Sequence, residues 1–375
     1  MIIYGALLIP FIVAFLLYYL FKESVVWWEL FVPLMASLTF IFLMKTTVEA
    51  VQVSSKEYWG SFVQRVEYYE PWDEYIHQTC TRSCCCDSNG ANCSTETYDC
   101  SYVSYHPAYW KIITNNGEHV SISKDEYYRI KTLFKNEEFN DMNRSYHSID
   151  GDMYYSTWDN DSATAVPVTT VHTYENRVKA ADQSVFHFEK VRDEDIKRFG
   201  LIDYPSIKDK YKMPAVLGSN TPEAVAADKK FQYINGLLGK SKQVRVFVLL
   251  FKNQPIDAAF YQESYWSGAN LNEFVICIGT DNANAVKWAK VFSWTRSELL
   301  KVQVKQLLQR QKKLDLNALA YFTQVQLEKQ FVRRDFKEFD YLTVEPPTWA
   351  VILAYMLTLG INILISFWII RNDYL

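Results

Sequence analysis

The sequence predicts an α+β membrane protein with three transmembrane helices, an N-terminal hairpin plus a C-terminal helix, and a large mixed β-rich and α/β extramembrane domain. Two observations predict this class. Long apolar runs lie at both ends of the 375-residue chain, and strand-like and helix-like patterns fill the region between them. A dense cysteine cluster then indicates the side of the membrane on which that region lies.

Composition excludes several classes of protein. Hydrophobic residues make up 49% and charged residues 22%, as is usual for a folded chain rather than a disordered one. The net charge of −4 provides no large field of either sign, so we expect no nucleic-acid partner.

The apolar runs are Ile2–Phe21, Val25–Met44 and Pro346–Ile370. Each is long enough to cross a hydrocarbon core of about 30 Å as a helix. The first run lacks the positive start and the cleavage site of a signal peptide, which favours a retained helix. Glu29 lies near the hairpin end of the second run, where its carboxylate reaches the headgroup region.

The first two runs are separated by Lys22, Glu23 and Ser24 alone, which predicts a tight hairpin with residues 46–345 on one side of the bilayer. Positive residues near the membrane ends favour the cytoplasmic side for this region. Large translocated domains are exempt from that rule, so the cysteines decide.

Six of the seven cysteines fall in one short stretch: Cys80, Cys84, Cys85, Cys86, Cys93 and Cys100. An even, dense set predicts disulfides in an oxidising compartment, and hence a periplasmic, luminal or extracellular domain. Since neighbouring cysteines rarely bridge, we expect Cys84, Cys85 and Cys86 each to pair with one of the other three.

The alternative is a cytosolic metal site with the topology inverted, for which His77 would supply a further ligand. Zinc sites need paired ligands on separate turns, and three adjacent cysteines fit that requirement poorly. We therefore expect no metal in this cluster. The seventh cysteine, Cys277, is expected to be buried on a strand.

Five segments are predicted: the hairpin at 1–45, a β-rich disulfide-stapled module at 46–205, an α/β module at 206–294, an amphipathic segment at 295–345 and the final helix with its tail at 346–375. In the β-rich module, Asn115-Asn116-Gly117 predicts a hairpin turn, and Ser123 caps a short helix.

In the α/β module, Thr221-Pro222-Glu223 predicts a helix start, and the helix runs to about Leu238-Gly239. The apolar run Val244–Phe251 indicates a buried strand. A helix at 256–266, a strand at 274–279 and another at 287–294 follow. This order, with Trp266 and Gly268, resembles the TPM-type extracytoplasmic domain of membrane-anchored proteins over about 75 residues. No functional residue is transferred from the resemblance.

Residues 295–342 have few helix breakers and a broad apolar face, which predicts a long amphipathic helix. Packing into the core is favoured over a self-pairing stalk or a membrane-surface helix, because the face is too broad for a heptad seam. A basic stretch lies on it, which indicates a solvated face: Lys301, Lys305, Arg310, Lys312 and Lys313.

Motifs for nucleotide, zinc-protease or serine-hydrolase chemistry are absent from the sequence, and no catalytic residue is assigned. Asp150-Gly-Asp152 and Asp159-Asn160-Asp161 offer oxygen ligands for calcium, but ordinary polar turns are favoured. Three Asn-x-Ser sequons occur, at Asn92, Asn143 and Asn160.

The best candidate for a ligand or ion site follows two strands of the α/β module, where ligands of open α/β sheets bind. Its residues are Asn253, Thr280, Asp281 and Asn282.

Anchoring at both ends restrains the domain, which serves assembly with membrane partners better than it serves catalysis on diffusing solutes. We therefore expect a non-enzymatic protein that contacts the lipid bilayer and interacts with membrane or envelope proteins, or with copies of itself, without a cofactor. The alternative is a membrane-tethered hydrolase or metal-dependent enzyme with its site at Asn253 and Asp281.

Overall fold

The computed structural model describes residues 2–21, 26, 29, 31–84, 94–133, 136–140, 153–157, 166–181, 184 and 188–373. The fold is mixed α/β, with sheets and three apolar helices, two near the N-terminus and one near the C-terminus. The chain forms two compact units. Unit 1 comprises Met1–Glu57, Thr173–Lys190 and Arg334–Leu375, and unit 2 comprises Tyr58–His172 and Val191–Arg333.

Unit 1 contains the three helices that are long and apolar enough to span a membrane. A 3₁₀ turn at Ile2–Leu7 leads into α1 (Leu8–Leu20), and α2 (Phe31–Val53) and α10 (Thr348–Asp373) complete the bundle. The predicted bounds of the second helix were wrong, because α2 begins six residues after Val25 and continues to Val53. No glycine or proline interrupts the sequence after Pro33, so the helix continues beyond the apolar run.

The rest of unit 1 packs near the end of α2. It contains the short helix α4 (Arg177–Ala180) and a 3₁₀ turn at Phe336–Phe339. Arg177 donates from Nη1 to Glu49 of α2 at 2.7 Å, and the rings of Tyr174 and Phe336 meet edge to face. These contacts join three separate stretches of sequence into one unit.

Unit 2 contains a six-stranded antiparallel sheet, which includes most of β1 and most of β10. The strands are β1 (Ser54–Tyr69), β6 (Tyr109–Thr114), β7 (His119–Ile122), β8 (Asn136–Asn140), β9 (Met153–Thr157) and β10 (Pro167–Glu175). Their order is β7-β6-β1-β9-β8, with β10 also paired to β1. The Asn115-Asn116-Gly117 turn joins β6 to β7 as predicted, with Gly117 at a φ of 83°.

Helix α3 (Lys124–Lys131) covers this sheet. Ser123 caps it as predicted, since its hydroxyl accepts a hydrogen bond from the Glu126 N–H at 3.3 Å. Tyr127 and Ile130 of α3 are buried against Val66 and Ile112 of the sheet.

A two-stranded ribbon extends from the same sheet. It is built from β2 (Trp72–Ile76) paired with β5 (Tyr102–His106), and β3 (Thr79–Cys84) paired with β4 (Ser94–Asp99). We call residues 72–84 and 94–106 the disulfide arm, because Cys80 and Cys100 form a disulfide with Cα atoms 5.8 Å apart.

The Cys80–Cys100 bond agrees with a disulfide-bonded module but contradicts the expected pairing, in which each of these two would bond to one of the three adjacent cysteines. The reason is geometric. Cys80 lies on β3 and Cys100 directly follows its partner strand β4, so the register of the ribbon brings the two cysteines together. Cys85, Cys86 and Cys93 lie outside the described residues, as does the side chain of Cys84.

The second sheet of unit 2 has the order β11-β12-β13-β14. Its strands are β11 (Val216–Leu217), β12 (Arg245–Lys252), β13 (Glu273–Thr280) and β14 (Val286–Ser293), of which only β14 is antiparallel. The helices around it are α5 (Asp193–Phe199), α6 (Pro222–Lys242), α7 (Asp257–Tyr265), α8 (Glu298–Arg310) and α9 (Leu316–Gln330).

Helices α6 and α7 pack on opposite faces of this sheet. Residues of α6 share a core with Val246 and Val248, whereas residues of α7 share one with Phe247 and Leu249, and successive strand residues face opposite sides. Helix α6 connects β11 to β12, and α7 connects β12 to β13. These strands are parallel neighbours, so both connections move in the same direction across the sheet. One of the two crossovers must therefore be left-handed, against the strong right-handed preference of such connections.

Two predicted helix bounds were wrong in this region. Helix α6 passes Gly239 and ends at Lys242, and the long amphipathic helix of residues 295–342 is two helices, α8 and α9. The break lies at Asp315, whose carboxylate accepts the N–H groups of Asn317 and Ala318 at 2.9 Å each and starts α9. Leu300 and Val304 of α8 and Leu319 of α9 are buried in the core, as the core-packing interpretation requires.

Candidate functional site

A crevice opens at the carboxyl edge of the α/β sheet. The parallel strands β11, β12 and β13 all end at this edge. After β11 the chain turns to α6 on one face, and after β12 it turns to α7 on the other. Connections that diverge to opposite faces leave a gap beyond the strand ends, and ligands of open α/β sheets bind in such gaps.

A cavity of about 320 Å³ occupies this place, on the side of α6 and α9. Its wall carries three hydroxyl groups, two lysines and two acids: Ser219, Thr221, Thr280, Lys252, Lys313, Glu223 and Asp315. Pockets for small ligands are commonly about 300–1,000 Å³ and mostly apolar. This cavity is at the small end of that range, and its wall is about half polar, which suits a small molecule with polar groups.

Helices α6 and α9 begin at the cavity, and the first N–H groups of each are capped by a side chain of this protein. The Thr221 hydroxyl accepts the N–H of Ala224 at 3.3 Å, and the Asp315 carboxylate caps α9. Lys252 and Lys313 are exposed and form no ion pair with the described residues. The acids Glu223 and Asp315 lie in or beside first helical turns, where the helix dipole stabilises negative charge.

The structure brings the four predicted site residues together but gives them different roles. Thr280 is buried and lines the cavity. Asn253 donates from Nδ2 to Oδ1 of Asn282 at 2.7 Å, which joins the loop after β12 to the turn after β13.

Asp281 shapes the turn between β13 and β14. One carboxylate oxygen accepts the N–H groups of Ala283 and Ala285 at 2.9 Å each, and the other lies 2.9 Å from Nζ of Lys287. The Lys287 ammonium and these N–H groups lower the pKa of Asp281. Both oxygens are therefore engaged within the turn, and the contacts assign Asp281 to the turn rather than to the cavity.

Sequence reasoning missed Lys252, Lys313 and Asp315. The last two lie in the break between α8 and α9, in a segment that we expected to be helical throughout. A signal was present, since an Asp directly before the apolar Leu316 is a typical helix N-cap. The contribution of Ser219 and Thr221 depends on the face to which α6 packs, which local sequence does not specify.

Within the described ranges, no group of three or more His, Cys, Asp or Glu side chains could hold a metal ion. The acidic clusters at 150–152 and 159–161 and the three sequons lie outside those ranges. The thiol of Cys277, in the middle of β13, is buried, and burial raises its pKa.

No model of a known protein family matches the chain, and no curated protein and no solved structure matches it either. The resemblance to the TPM-type domain therefore rests only on the order of elements and on Trp266 and Gly268. That order is present in the structure, as α6, β12, α7, a turn at residues 266–268, β13 and β14.

Proposed function

We propose that the protein is an integral membrane protein that presents unit 2 on the non-cytoplasmic side of the membrane, where it binds other membrane proteins without catalysing a reaction. The observation that carries the proposal is the exposed, disulfide-closed arm. Such a bond persists in oxidising compartments and is rare in the cytosol. A polypeptide ribbon that projects from a sheet and is stapled by a disulfide is suited to contacting a partner.

Anchoring supports the same proposal. The helices at the two ends of the chain pack against each other, with Ile3, Ile41 and Ala354 in a common core. Everything between α2 and α10 is thus attached to one bundle at both of its ends. A receptor or assembly protein benefits from that restraint, whereas an enzyme for diffusing solutes does not require it.

The location is tested by counting thiols. The protein is purified in detergent and alkylated with and without prior reduction, and the alkylated cysteines are located by mass spectrometry of its peptides. We expect Cys80 and Cys100 to resist alkylation until the protein is reduced. The cells are quenched rapidly with the alkylating reagent so that no disulfide forms during preparation. Free thiols at both positions, or zinc retained by the purified chain, would place the domain in the cytosol and overturn the proposal.

The interaction is tested in the source cells by deleting the gene and comparing membrane complexes on native gels. Loss or a mobility shift of a complex is expected, with restoration by the wild-type gene. A gene copy with both Cys80 and Cys100 changed to Ser tests the role of the disulfide. This variant should insert into the membrane but restore the complex poorly. Unchanged complexes after deletion would contradict the role.

A second candidate function is favoured by the cavity at the sheet edge. An enzyme or binding protein for a small polar solute would use Thr280 and Lys252, with the turn of Asp281 beside them. Replacing Thr280 with Val removes a hydroxyl from the cavity wall, whereas Asp281→Ala loosens the turn. Enzyme function predicts that Thr280→Val abolishes a measurable turnover. The interaction proposal predicts unaltered membrane complexes in that variant.

A further inference from the structure

We propose that the outer edge of β5 pairs with the same edge of a second copy of this chain, so that two disulfide arms form a four-stranded antiparallel sheet in a homodimer. The proposal rests on the interaction role given above and names the partner. Its basis is the backbone of the arm, the charge on its two edges and the side chains of β5.

The arm has open edges. In the part of the chain that the structure describes, β2 pairs only with β5 and β3 only with β4. An edge strand leaves every second set of N–H and C=O groups without a strand partner, which makes it a template for pairing. A two-stranded ribbon on its own is also marginally stable in water, and a third or fourth strand stabilises it.

Charge distinguishes the two edges near the base of the arm. Strand β2 carries Asp73 and Glu74, of which Glu74 lies 2.8 Å from Nε2 of His106 on β5, so pairing the β2 edges of two copies would bring acids together. Strand β5 reads Tyr102-Val103-Ser104-Tyr105-His106 and contains no Lys, Asp, Glu or Pro. Those residues are the ones by which proteins block edge pairing, and their absence from β5 leaves that edge self-compatible.

The side chains of β5 match one another in antiparallel register. With Ser104 on the twofold axis, Val103 lies opposite Tyr105 of the second copy, and Tyr102 lies opposite its His106. Pairs of aromatic and β-branched residues stabilise antiparallel sheets. Val103 is 56% exposed and Tyr105 is 65% exposed in the single chain, so both are available for this contact.

The membrane favours the encounter. Chains anchored in one bilayer are confined to a plane, which raises the effective concentration of one arm near another. An isologous contact of this kind closes as a dimer, because each edge is used once. Pro107 directly follows β5 and stops the pairing from extending along the chain.

The test uses the full-length chain in nanodiscs or detergent, with mass photometry over a dilution series. One double variant carries Val103→Glu and Tyr105→Glu, and the other carries Val103→Glu and Tyr105→Lys. In the proposed register the first places acid opposite acid, and the second places acid opposite base. We expect dimerisation to weaken by more than about tenfold in the first and to be largely retained in the second.

The two variants change the same exposed positions and differ only in the sign of one charge, so a general effect on folding would act on both. Val225→Glu, at a position of α6 that is 50% exposed, controls for added surface charge and should leave the dimer intact. Equal dimerisation of the two double variants would overturn the register, and hence the proposal.

The failure of this inference is distinguishable from failure of the proposed function. A wild-type chain that is monomeric throughout the dilution series overturns the homodimer. If Cys80 and Cys100 are nevertheless disulfide-bonded and gene deletion alters a membrane complex, the interaction role stands with a different partner. A cytosolic domain with free thiols at those positions overturns both.

Discussion

Asn362 of α10 donates a hydrogen bond from Nδ2 to Oγ of Ser37 in α2 across 2.7 Å, and the two residues are 325 positions apart in sequence. Both side chains are buried within a bundle whose core is mainly apolar. The same Nδ2 group donates to the carbonyl oxygen of Thr358 at 2.7 Å. A hydrogen bond between two buried side chains fixes which faces of the two helices meet, because separating the helices would leave the Ser37 hydroxyl and the Asn362 amide short of a partner.

The first prediction concerns this pair. Asn362→Ala and Ser37→Ala should each destabilise the bundle, and the double variant should be less destabilised than the sum. We expect a coupling energy of about 1 kcal/mol, which is typical of hydrogen bonds between membrane helices. Denaturation in mixed detergent micelles measures it. Leu364→Ala, on the exposed face of α10, is the control, and additivity of the two polar variants would contradict the pairing.

The second prediction concerns close backbone contact between β1 and α6. A Cβ atom added at Gly60 would overlap the carbonyl of Asn235, and one added at Gly239 would overlap the backbone of Gly60. Gly60→Ala and Gly239→Ala should therefore each lower the free energy of unfolding by about 1–3 kcal/mol or more. Gly360→Ala is the control, because no atom lies within 4 Å of its added Cβ. Thermal unfolding that is unchanged in all three variants would refute the contact.

Two buried ionisable side chains lie on neighbouring strands at the start of the α/β sheet. Arg245 and Glu273 are register partners on β12 and β13, and both are essentially inaccessible to solvent. Arg245 donates to Oγ1 of Thr169 and to the carbonyl of Met213 at 3.1 Å each. Burial raises the pKa of Glu273 and lowers the pKa of Arg245, and each group's charge opposes the shift of the other.

The third prediction follows from this arrangement. Arg245→Met should destabilise unit 2 by about 1–3 kcal/mol, because it leaves the Met213 carbonyl and the Thr169 hydroxyl without their buried donor and removes the positive charge that acts on Glu273. Combining it with Glu273→Gln should recover part of the loss, because the amide is uncharged and its oxygen still accepts from the Tyr204 hydroxyl, although the hydrogen bond from the Asn270 N–H is lost. Urea unfolding followed by tryptophan fluorescence measures both. A double variant that is less stable than Arg245→Met alone would show that the two charges do not compensate each other.

The fourth prediction concerns pH. Burial alone would raise the pKa of Glu126, but hydrogen bonds from Arg129, Tyr211 and Lys212 lower it to about 2. A carboxyl group with a lowered folded-state pKa stabilises the fold above its unfolded pKa, and that contribution is lost as the pH falls towards 2. Glu126→Gln should therefore lower Tm at neutral pH, with the difference from wild type shrinking below about pH 4.5.

The matched control for pH is Glu298→Gln. Glu298 pairs with Lys301 at 2.7 Å, but its side chain is 75% exposed, and exposed pairs contribute little. The Tm of the Glu298→Gln variant should equal that of the wild-type protein at every pH. If the Tm difference between Glu126→Gln and wild type were constant from neutral to acid pH, the ionised carboxylate would not be its source.

Local sequence signals predicted much of the fold. The apolar runs, the turn at Asn115-Asn116-Gly117 and the caps at Ser123 and Thr221 depend on neighbouring residues only, and the structure contains all of them. Contacts between distant residues were not predictable. Nothing near Gly239 indicates that it packs against Gly60, so the glycine was interpreted as a helix end when it is a contact point inside α6.

At the candidate site, too, local sequence predicted some positions, and others depend on contacts between distant residues. The order of strands and turns was sufficient to place Thr280 at a carboxyl edge. The position of Lys313 beside it depends on a chain reversal at Asp315 and on α9 packing against α6, and a broad apolar face is equally compatible with one long helix. The pairing of Cys80 with Cys100 likewise depends on the register of β3 with β4, which the spacing of cysteines does not encode.

The thiol of Cys277 is an internal probe of how often the α/β sheet opens. This thiol lies at the centre of the α/β sheet with no exposed surface, so a reagent reaches it only when the sheet opens. The rate at which a thiol reagent modifies Cys277 in the folded protein therefore reports the frequency of that opening, as hydrogen exchange does for amides. Ligands that close the crevice, or partners that hold unit 2, would slow this reaction without any label having to be introduced.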